Sequence, residues 1–167
     1  RTEKGVDKCS YGELDNPEYT IALVGGSHSG HWLPALEIVA EMQNLKIDLY
    51  NKDACRFSSD EINGALSKSC MEWNVDVMEP LLSDPPDLLF TTANVNSGDT
   101  IPARYLSKWK EFEGITTVFA LRDNPRMEED PPLCVEKNPD DCSVQRKDAL
   151  SAIPPWENTE NIPDNVV

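Results

Sequence analysis

The segment at residues 19–42, YTIALVGGSHSGHWLPALEIVAEM, restricts the possible folds more than any other part of this chain. A short apolar run at residues 20–24 meets a Gly-Gly pair and then Ser27, after which apolar residues recur at helical spacing. This order predicts a buried strand, a tight turn and a helix. In open α/β sheets such a turn lies at the carboxyl end of the strand, where ligands and nucleophiles are found.

Strands and helices alternate along most of the remaining chain. Apolar and β-branched runs predict strands at residues 19–24, 46–50, 87–92 and 115–121. Helical spacing predicts helices from near residue 33 and at residues 71–82, 103–112 and 143–152, with Pro80 expected to kink or shorten the second. This alternation indicates βαβ units and a parallel sheet. We expect a polar arm at residues 1–18, an α/β domain at residues 19–152 and an irregular tail at residues 153–167.

The charge of the chain excludes some partners. Its 167 residues carry a formal net charge of −15, which argues against nucleic acid, because nucleic-acid binding depends on basic side chains. It argues equally against an anionic membrane surface. No apolar run approaches the roughly 20 residues that span a bilayer. The polar opening, RTEKGVDK, shows no signal peptide, so we expect a mature fragment.

Five cysteines are many for a cytosolic enzyme of this length. Cys55 and Cys70 flank one polar stretch, and Cys134 and Cys142 flank another. We therefore expect two disulfide-closed loops in an oxidising compartment. A structural zinc site is not expected, because no closely spaced pair such as C-x-x-C is present. Cys9 has no predicted partner.

Ser27 has two interpretations that its spacing alone does not separate. It is either a nucleophile beside the unpaired N–H groups of a helix N-terminus, or a serine that only caps that helix. The surrounding Gly-Gly-Ser-His-Ser-Gly is not a Walker A loop, because the Gly-Lys-Ser/Thr ending is absent. It is not a G-x-S-x-G motif either.

His28 and His31 are the chain's two histidines. No set of carboxylate or cysteine ligands accompanies them, so no metal site is expected. Neighbouring side chains on a turn usually diverge, and His31 would project along the helix. If a histidine activates Ser27, we expect it to come from a part of the fold outside this sequence.

Polar side chains also follow the third and fourth predicted strands, at the same sheet edge as Ser27. An amide of Asn94 or Asn96 could donate a hydrogen bond to an oxyanion, although asparagines in a loop more often form turns. For Asp123 and Arg126 we favour an Asp–Arg pair that shapes the loop.

The chain resembles the GDSH-type SGNH domains fused to membrane-bound acyltransferases of family three. The resemblance starts with LVGGSHSGHWLPAL at residues 23–36 and covers about residues 9–146. Its other motifs are the cysteine-bounded loop of Cys55 and Cys70, the Trp73-Asn74 pair, PDLLFTT, a Tyr-Leu-x-x-Trp helix, and DNPR followed by two cysteines.

This resemblance implies a flavodoxin-like, doubly wound parallel sheet and a mechanism without a cofactor or metal. It implies that Ser27 is the nucleophile, that the backbone and Asn94 supply oxyanion donors, and that Gly26, His28 and Asp123 lie near the site. It also implies an extracytoplasmic domain that O-acylates cell-envelope glycans or glycolipids, with an acyl donor supplied by a membrane acyltransferase domain.

The chain departs from the family pattern in two places. Gly26 stands where the family's Gly-Asp-Ser-His motif has Asp. The family's C-terminal strand and Asp-x-x-His block, which carries the catalytic histidine, are absent, although PDNVV ends like a chain entering another strand. The sequence as given is therefore expected to be inactive.

We favour the SGNH domain of an O-acyltransferase, and an O-acetyl group as the one transferred. One alternative is a secreted SGNH esterase that runs the same chemistry with water as the acceptor. The other is a non-catalytic binding module in which Ser27 only caps a helix.

Overall fold

The computed structural model, which describes residues 5–59, 66–96 and 98–167, contains a twisted α/β sheet. The five strands found in these ranges are β1 (Cys9–Gly12), β2 (Tyr19–Gly25), β3 (Leu45–Asn51), β4 (Leu88–Thr92) and β5 (Thr117–Leu121). Their order is β1-β3-β2-β4-β5. Strands β2 to β5 pair in parallel, and β1 runs antiparallel to β3.

Helices connect the parallel strands. They are α1 (Ser27–Gly30), α2 (Leu33–Gln43), α3 (Lys68–Asp76), α4 (Met78–Ser83), α5 (Ala103–Lys110), α6 (Pro131–Lys137) and α7 (Arg146–Ala149). The crossover from β2 to β3 contains α1 and α2, the next contains α3 and α4, and the last contains α5.

The side chains of β2 alternate between two hydrophobic cores, one on each face of the sheet. Ala22 and Val24 pack into the core that contains Trp73 and Trp109 of α3 and α5. Ile21 and Leu23 pack into the core with Ala40 of α2. Because successive side chains of a strand point to opposite faces, a strand covered on both sides is apolar throughout. The predicted doubly wound α/β fold is confirmed.

Strand β1 lies within residues 1–18, which the sequence predicted to be a polar arm, so part of this arm pairs with the sheet. The Ser10 hydroxyl donates to Asp48 Oδ1 at 2.6 Å, and Val6 just before the strand is buried. A four-residue edge strand with polar side chains shows no alternation of apolar residues in its sequence. Its backbone hydrogen bonds depend instead on the neighbouring strand β3.

The helix predicted at residues 71–82 is two helices, α3 and α4. Pro80 has no N–H to donate to the carbonyl of Asp76, which is the last residue of α3. Helix α6, which starts before Cys134 and runs into the second cysteine loop, was not predicted, because prolines and acidic residues dominate the sequence that leads into it. Asp130 starts it by accepting a hydrogen bond from the Leu133 N–H at 3.2 Å, and Pro131 suits its first turn.

The last residues pair with the sheet, although the sequence predicted an irregular tail at residues 153–167. Val166 forms a parallel bridge with Val118, and the Val167 N–H donates to the Val118 carbonyl at 2.9 Å. The Asn165 side chain also donates to the carbonyls of Trp109 and Thr116. The end of the tail therefore lies in strand-like pairing alongside β5.

Both predicted disulfides are present. Cys55 pairs with Cys70, with Cα atoms 5.3 Å apart, and Cys134 pairs with Cys142 at 5.7 Å. Cys9 is an exposed free thiol. The first disulfide is buried in the core, and the second closes an exposed loop.

Candidate active site

Two glycines shape the turn between β2 and α1. Gly25 has a φ of +141°, which favours glycine, and a Cβ there would lie 2.4 Å from Ser29 Oγ. A Cβ on Gly26 would lie 2.6 Å from the carbonyl oxygen of Cys55. The loop of the buried disulfide therefore occupies the space that a side chain at position 26 would need.

Ser27 is the first residue of α1 and does not cap it. The N-cap is Gly26, and no side chain makes a capping bond there. Within the described ranges the Ser27 hydroxyl has no hydrogen-bond partner, and the residue is half-buried. The capping interpretation of Ser27 is therefore wrong, and the hydroxyl is left free on a rigid turn.

His28 contacts Asp123, 95 residues further along the chain. Its Nδ1 lies 2.6 Å from Asp123 Oδ1, which also accepts the N–H of Asn124 at 2.8 Å. Asp123 is 6% exposed. The carboxylate fixes Nδ1 as the ring nitrogen that donates, so Nε2 is the nitrogen left to accept a proton.

The predicted Asp123–Arg126 pair is wrong. Among the described residues, the ion partner of Asp123 is His28, and Arg126 contributes its backbone N–H to the carbonyl of Ala149 at 2.7 Å. The sequence placed Asp123 and Arg126 at the correct edge of the sheet but could not place His28 beside Asp123. The contact between His28 and Asp123 joins the loops after β2 and β5, and β4 lies between these two strands.

His31 stacks on His28, with ring centroids 5.9 Å apart and an interplanar angle of 18°. Neither histidine makes a hydrogen bond with the Ser27 hydroxyl in the described structure. The expectation that the base for Ser27 comes from elsewhere stays a prediction.

Asn94 is buried behind the site and joins two loops. Its amide nitrogen donates to the carbonyls of Asn96 at 3.2 Å and Gly98 at 2.8 Å. Its Oδ1 accepts the N–H of Asp123 at 2.7 Å. Both amide hydrogens are used in this arrangement, so the predicted oxyanion role would require one of these bonds to open. That role stays a prediction.

Asn96 adopts a left-handed backbone with a φ of +54°. Asparagine tolerates this region better than most residues, so the turn interpretation fits Asn96. Asn94 and Asn96 together set the path of the loop that follows β4.

Ser27, His28, Asn94 and Asp123 line one cavity of about 260 Å³ at the carboxyl end of the sheet. Loops after β2, β3, β4 and β5 form its walls. This is the position at which open α/β sheets bind ligands.

The family model for the SGNH domain fused to AT3 domains matches residues 1–158. The chain belongs to this family. Neither the curated proteins nor the solved structures that were searched contain a match.

The SGNH domain also holds Arg56 at the cavity, a residue that the sequence did not single out. Asn74 fixes its backbone, because the Asn74 amide donates to the Arg56 carbonyl at 2.8 Å and Asn74 Oδ1 accepts the Ser58 N–H at 3.0 Å. The Cys55–Cys70 disulfide holds the same loop from the other side. The one feature of the sequence that could have identified Arg56 as a cavity residue is its position directly after Cys55.

Tyr105 of α5 reaches the cavity from the core. Burial raises the pKa of its phenol, the charge of Arg56 opposes this rise, and the charge of Asp123 adds to it. Tyr105 therefore stays protonated at neutral pH and can donate a hydrogen bond. Sequence spacing placed it on a buried helix face and gave no sign of its position beside Asp123.

Groups of His, Cys, Asp and Glu arranged to hold a metal ion are not found in the parts of the SGNH domain that the structure describes. Among the described residues that line the cavity, Asp123 is the one carboxylate, and it is bonded to His28. The chemistry of the site is thus that of a hydroxyl, an imidazole–carboxylate pair and guanidinium groups.

Proposed function

We propose that this SGNH domain transfers an acyl group, an acetyl group in the simplest case, through Ser27 to a hydroxyl of a cell-envelope glycan or glycolipid. The observation that carries this proposal is the unbonded Ser27 hydroxyl, which lies on the first turn after β2 and lines the cavity with His28 and Asp123. The Ser29 hydroxyl also has no partner among the described residues, but it is buried and does not line the cavity.

The proposed reaction has two steps. Ser27 Oγ attacks the carbonyl carbon of the acyl donor, the donor's leaving group departs with a proton, and an ester forms on Ser27. The oxygen of the acceptor then attacks that ester, the bond to Ser27 Oγ breaks, and the acceptor's proton returns to the serine. Unpaired N–H groups at the start of α1 favour the oxyanion of each step.

The pair formed by His28 and Asp123 is proposed to fix the imidazole at the cavity wall. Asp123 orients the ring through its hydrogen bond with Nδ1. Nε2 of His28 is thereby available to a bound group, either directly or through a water molecule.

Two observations support an extracytoplasmic location in a membrane-attached protein. The two disulfides fit an oxidising compartment, and the family's fusion to AT3 domains supports a membrane-bound source of acyl groups. None of the helices described here combines the length and the apolar character required to cross a bilayer.

Replacing Ser27 tests the proposal. In a longer chain that contains the family's Asp-x-x-His block, Ser27→Ala is expected to abolish release of p-nitrophenolate from p-nitrophenyl acetate, and the same longer chain serves for every measurement of ester turnover. Ser29→Ala is the matched control, because the Ser29 hydroxyl is two residues away, buried and without a partner among the described residues. Equal rates for the wild type and Ser27→Ala would contradict the assignment of the nucleophile.

An esterase is the second candidate, because the cavity is open enough to admit water and Ser27 is only half-buried. Product analysis separates the two reactions. Acyl transfer places the acyl group on an added glycan, whereas hydrolysis releases the free acid even when the glycan is in excess.

A further inference from the structure

Two arginines that line the cavity have no carboxylate partner among the described residues. Arg56 and Arg126 both line the cavity, and neither makes an ion pair within the described part of the chain. The chain has 30 acidic residues and 15 basic ones. The protein as a whole is strongly negative, so two unpaired arginines at one cavity form a site whose local charge is positive, opposite in sign to the net charge of the chain.

The cavity's own carboxylate does not neutralise these arginines. Asp123 Oδ1 is bonded to His28 and to a backbone N–H, and the side chain is almost fully buried. The carboxylate of Asp123 is therefore paired with the His28 imidazole and not with an arginine. The guanidinium groups of Arg56 and Arg126 remain available to a bound molecule.

The positions of the two arginines are fixed by the fold. The buried disulfide and Asn74 hold the backbone of Arg56. The Arg126 backbone N–H donates a hydrogen bond to the carbonyl of Ala149, the last residue of α7. Held backbones reduce the entropy lost when a ligand binds, which is typical of a binding site.

We propose that the hydroxyl-bearing acceptor of this SGNH domain carries an anionic group, a carboxylate or a phosphate, which Arg56 and Arg126 bind. The inference rests on the proposed function and names its substrate class. A guanidinium offers a planar pair of N–H donors that matches both of these anions. An anion held there brings a neighbouring hydroxyl into the cavity that contains Ser27.

The size of the cavity limits the acceptor group. Its volume of about 260 Å³ lies just below the roughly 300 Å³ at which drug-sized pockets begin. It therefore accommodates a single substituted sugar or polyol unit, and the remainder of a larger glycan would extend into solvent.

Ligand titrations monitored by NMR test this inference on the chain itself. Glucuronic acid probes the carboxylate, glucose phosphate probes the phosphate, and glucose is the neutral control. Binding of either anion with little binding of glucose supports the proposal, and the tighter of the two identifies the anion. Anion binding is also expected to weaken as sodium chloride is added.

Arginine variants locate the binding site. Arg56→Gln and Arg126→Gln are each expected to weaken anion binding about tenfold, since charge-assisted hydrogen bonds are lost. Arg146→Gln removes the same charge from an exposed position in α7, outside the cavity, and should change nothing. Equal binding of glucose and the anions, or anion binding unaffected by both cavity variants, would overturn the inference.

Failure of the inference is distinguishable from failure of the proposed function. The hydrolysis of p-nitrophenyl acetate depends on Ser27 and involves no anionic acceptor. If that activity requires Ser27 but the anions do not bind, the function stands and the inference fails. If the anions bind through the arginines while Ser27→Ala leaves ester turnover unchanged, the anion site stands and the acyl-transfer function fails.

Discussion

At the scale of single residues, the candidate site depends on the space around Gly26. The family's Gly-Asp-Ser-His motif carries Asp at this position, but here the carbonyl of Cys55 lies where a Cβ would be accommodated. In this chain the disulfide loop therefore occupies the space that a side chain at position 26 would need. A sequence shows the glycine but not the loop that approaches it.

Gly26→Ala is predicted to destabilise the domain by about 1–3 kcal/mol, because a Cβ 2.6 Å from a backbone oxygen forces the backbone to move. The free energy of unfolding in urea measures this. Gly30→Ala is the matched control, since its Cβ would meet only the end of the Asn51 side chain at 3.1 Å. Equal stability of Gly26→Ala and the wild type would contradict the predicted clash.

The contact between His28 and Asp123 predicts coupled effects on activity. His28→Gln and Asp123→Asn are each expected to lower ester turnover, and the double variant to lose little more than the worse single variant, because the two side chains act as a unit. Rates of p-nitrophenolate release test this. Multiplicative losses in the double variant would show that the two residues act independently.

Ser27 was predictable from the sequence because a strand, a tight turn and a helix are local features. The partner of Asp123 was not, because strand order decides which loops meet. His28 follows β2 and Asp123 follows β5, with β4 between these strands. The hydrophobic pattern of the sequence does not specify that the loops after β2 and β5 meet across β4.

At the scale of elements, β1 shows how an edge strand forms without apolar alternation. Its Ser10 donates to Asp48 of β3 at 2.6 Å, and Lys8 and Lys46 lie 3.3 and 3.0 Å from the same carboxylate. Burial opposes ionisation of Asp48, but the hydrogen bonds from Ser10 and Lys46 and the lysine charges outweigh it. The pKa of Asp48 is therefore lowered.

This lowered pKa predicts a pH-dependent contribution to stability. The ionised Asp48 stabilises the folded state above the ordinary carboxyl pKa of about 4, and the contribution is lost as the pH falls through the lower, folded-state value. Asp48→Asn should therefore cost about 1 kcal/mol near neutral pH and progressively less in acid.

Urea unfolding of the wild type and Asp48→Asn, near neutral pH and again at about pH 3, measures this difference. Asp15→Asn, at an exposed position before β2, is the control. A difference that stays constant with pH would mean that ionisation of Asp48 does not stabilise the β1–β3 pair.

At the scale of the whole molecule, the two disulfides make different contributions. Cys55 and Cys70 are 2% and 1% exposed and hold the loop against Gly26 and the cavity. Cys134 and Cys142 close an exposed loop that does not line the cavity. Only the first disulfide connects the core to the candidate site.

Replacing both Cys55 and Cys70 by Ala is predicted to cost about 3 kcal/mol of unfolding free energy and to lower ester turnover. The matched Cys134→Ala and Cys142→Ala pair should cost stability but leave turnover unchanged. Urea unfolding and p-nitrophenyl acetate hydrolysis measure the two effects. Unchanged turnover after loss of the first disulfide would show that the site does not depend on it.

The doubly wound fold was predictable because apolar or β-branched runs for its parallel strands alternate with segments of helical spacing. The features that the sequence did not reveal depend on partners distant in the chain: β1 needs β3, and Arg56 becomes a cavity residue through the loop after β3. The strand-like ending of PDNVV was noted in the sequence, but its partner β5 was not. The predicted domain limits at residues 19 and 152 stay predictions.

The central claim is that Ser27 is the nucleophile of an acyl-transferring SGNH domain. No described base contacts the Ser27 hydroxyl, so deacylation of Ser27 is expected to be slow. An acyl–enzyme should therefore accumulate with p-nitrophenyl acetate, because its leaving group departs without needing a proton. Peptide mass spectrometry of the folded chain, with the urea-unfolded chain as control, should locate one acetyl group on Ser27 in the folded chain alone. Acetylation of Ser29 or of surface lysines without modification of Ser27 would contradict the claim.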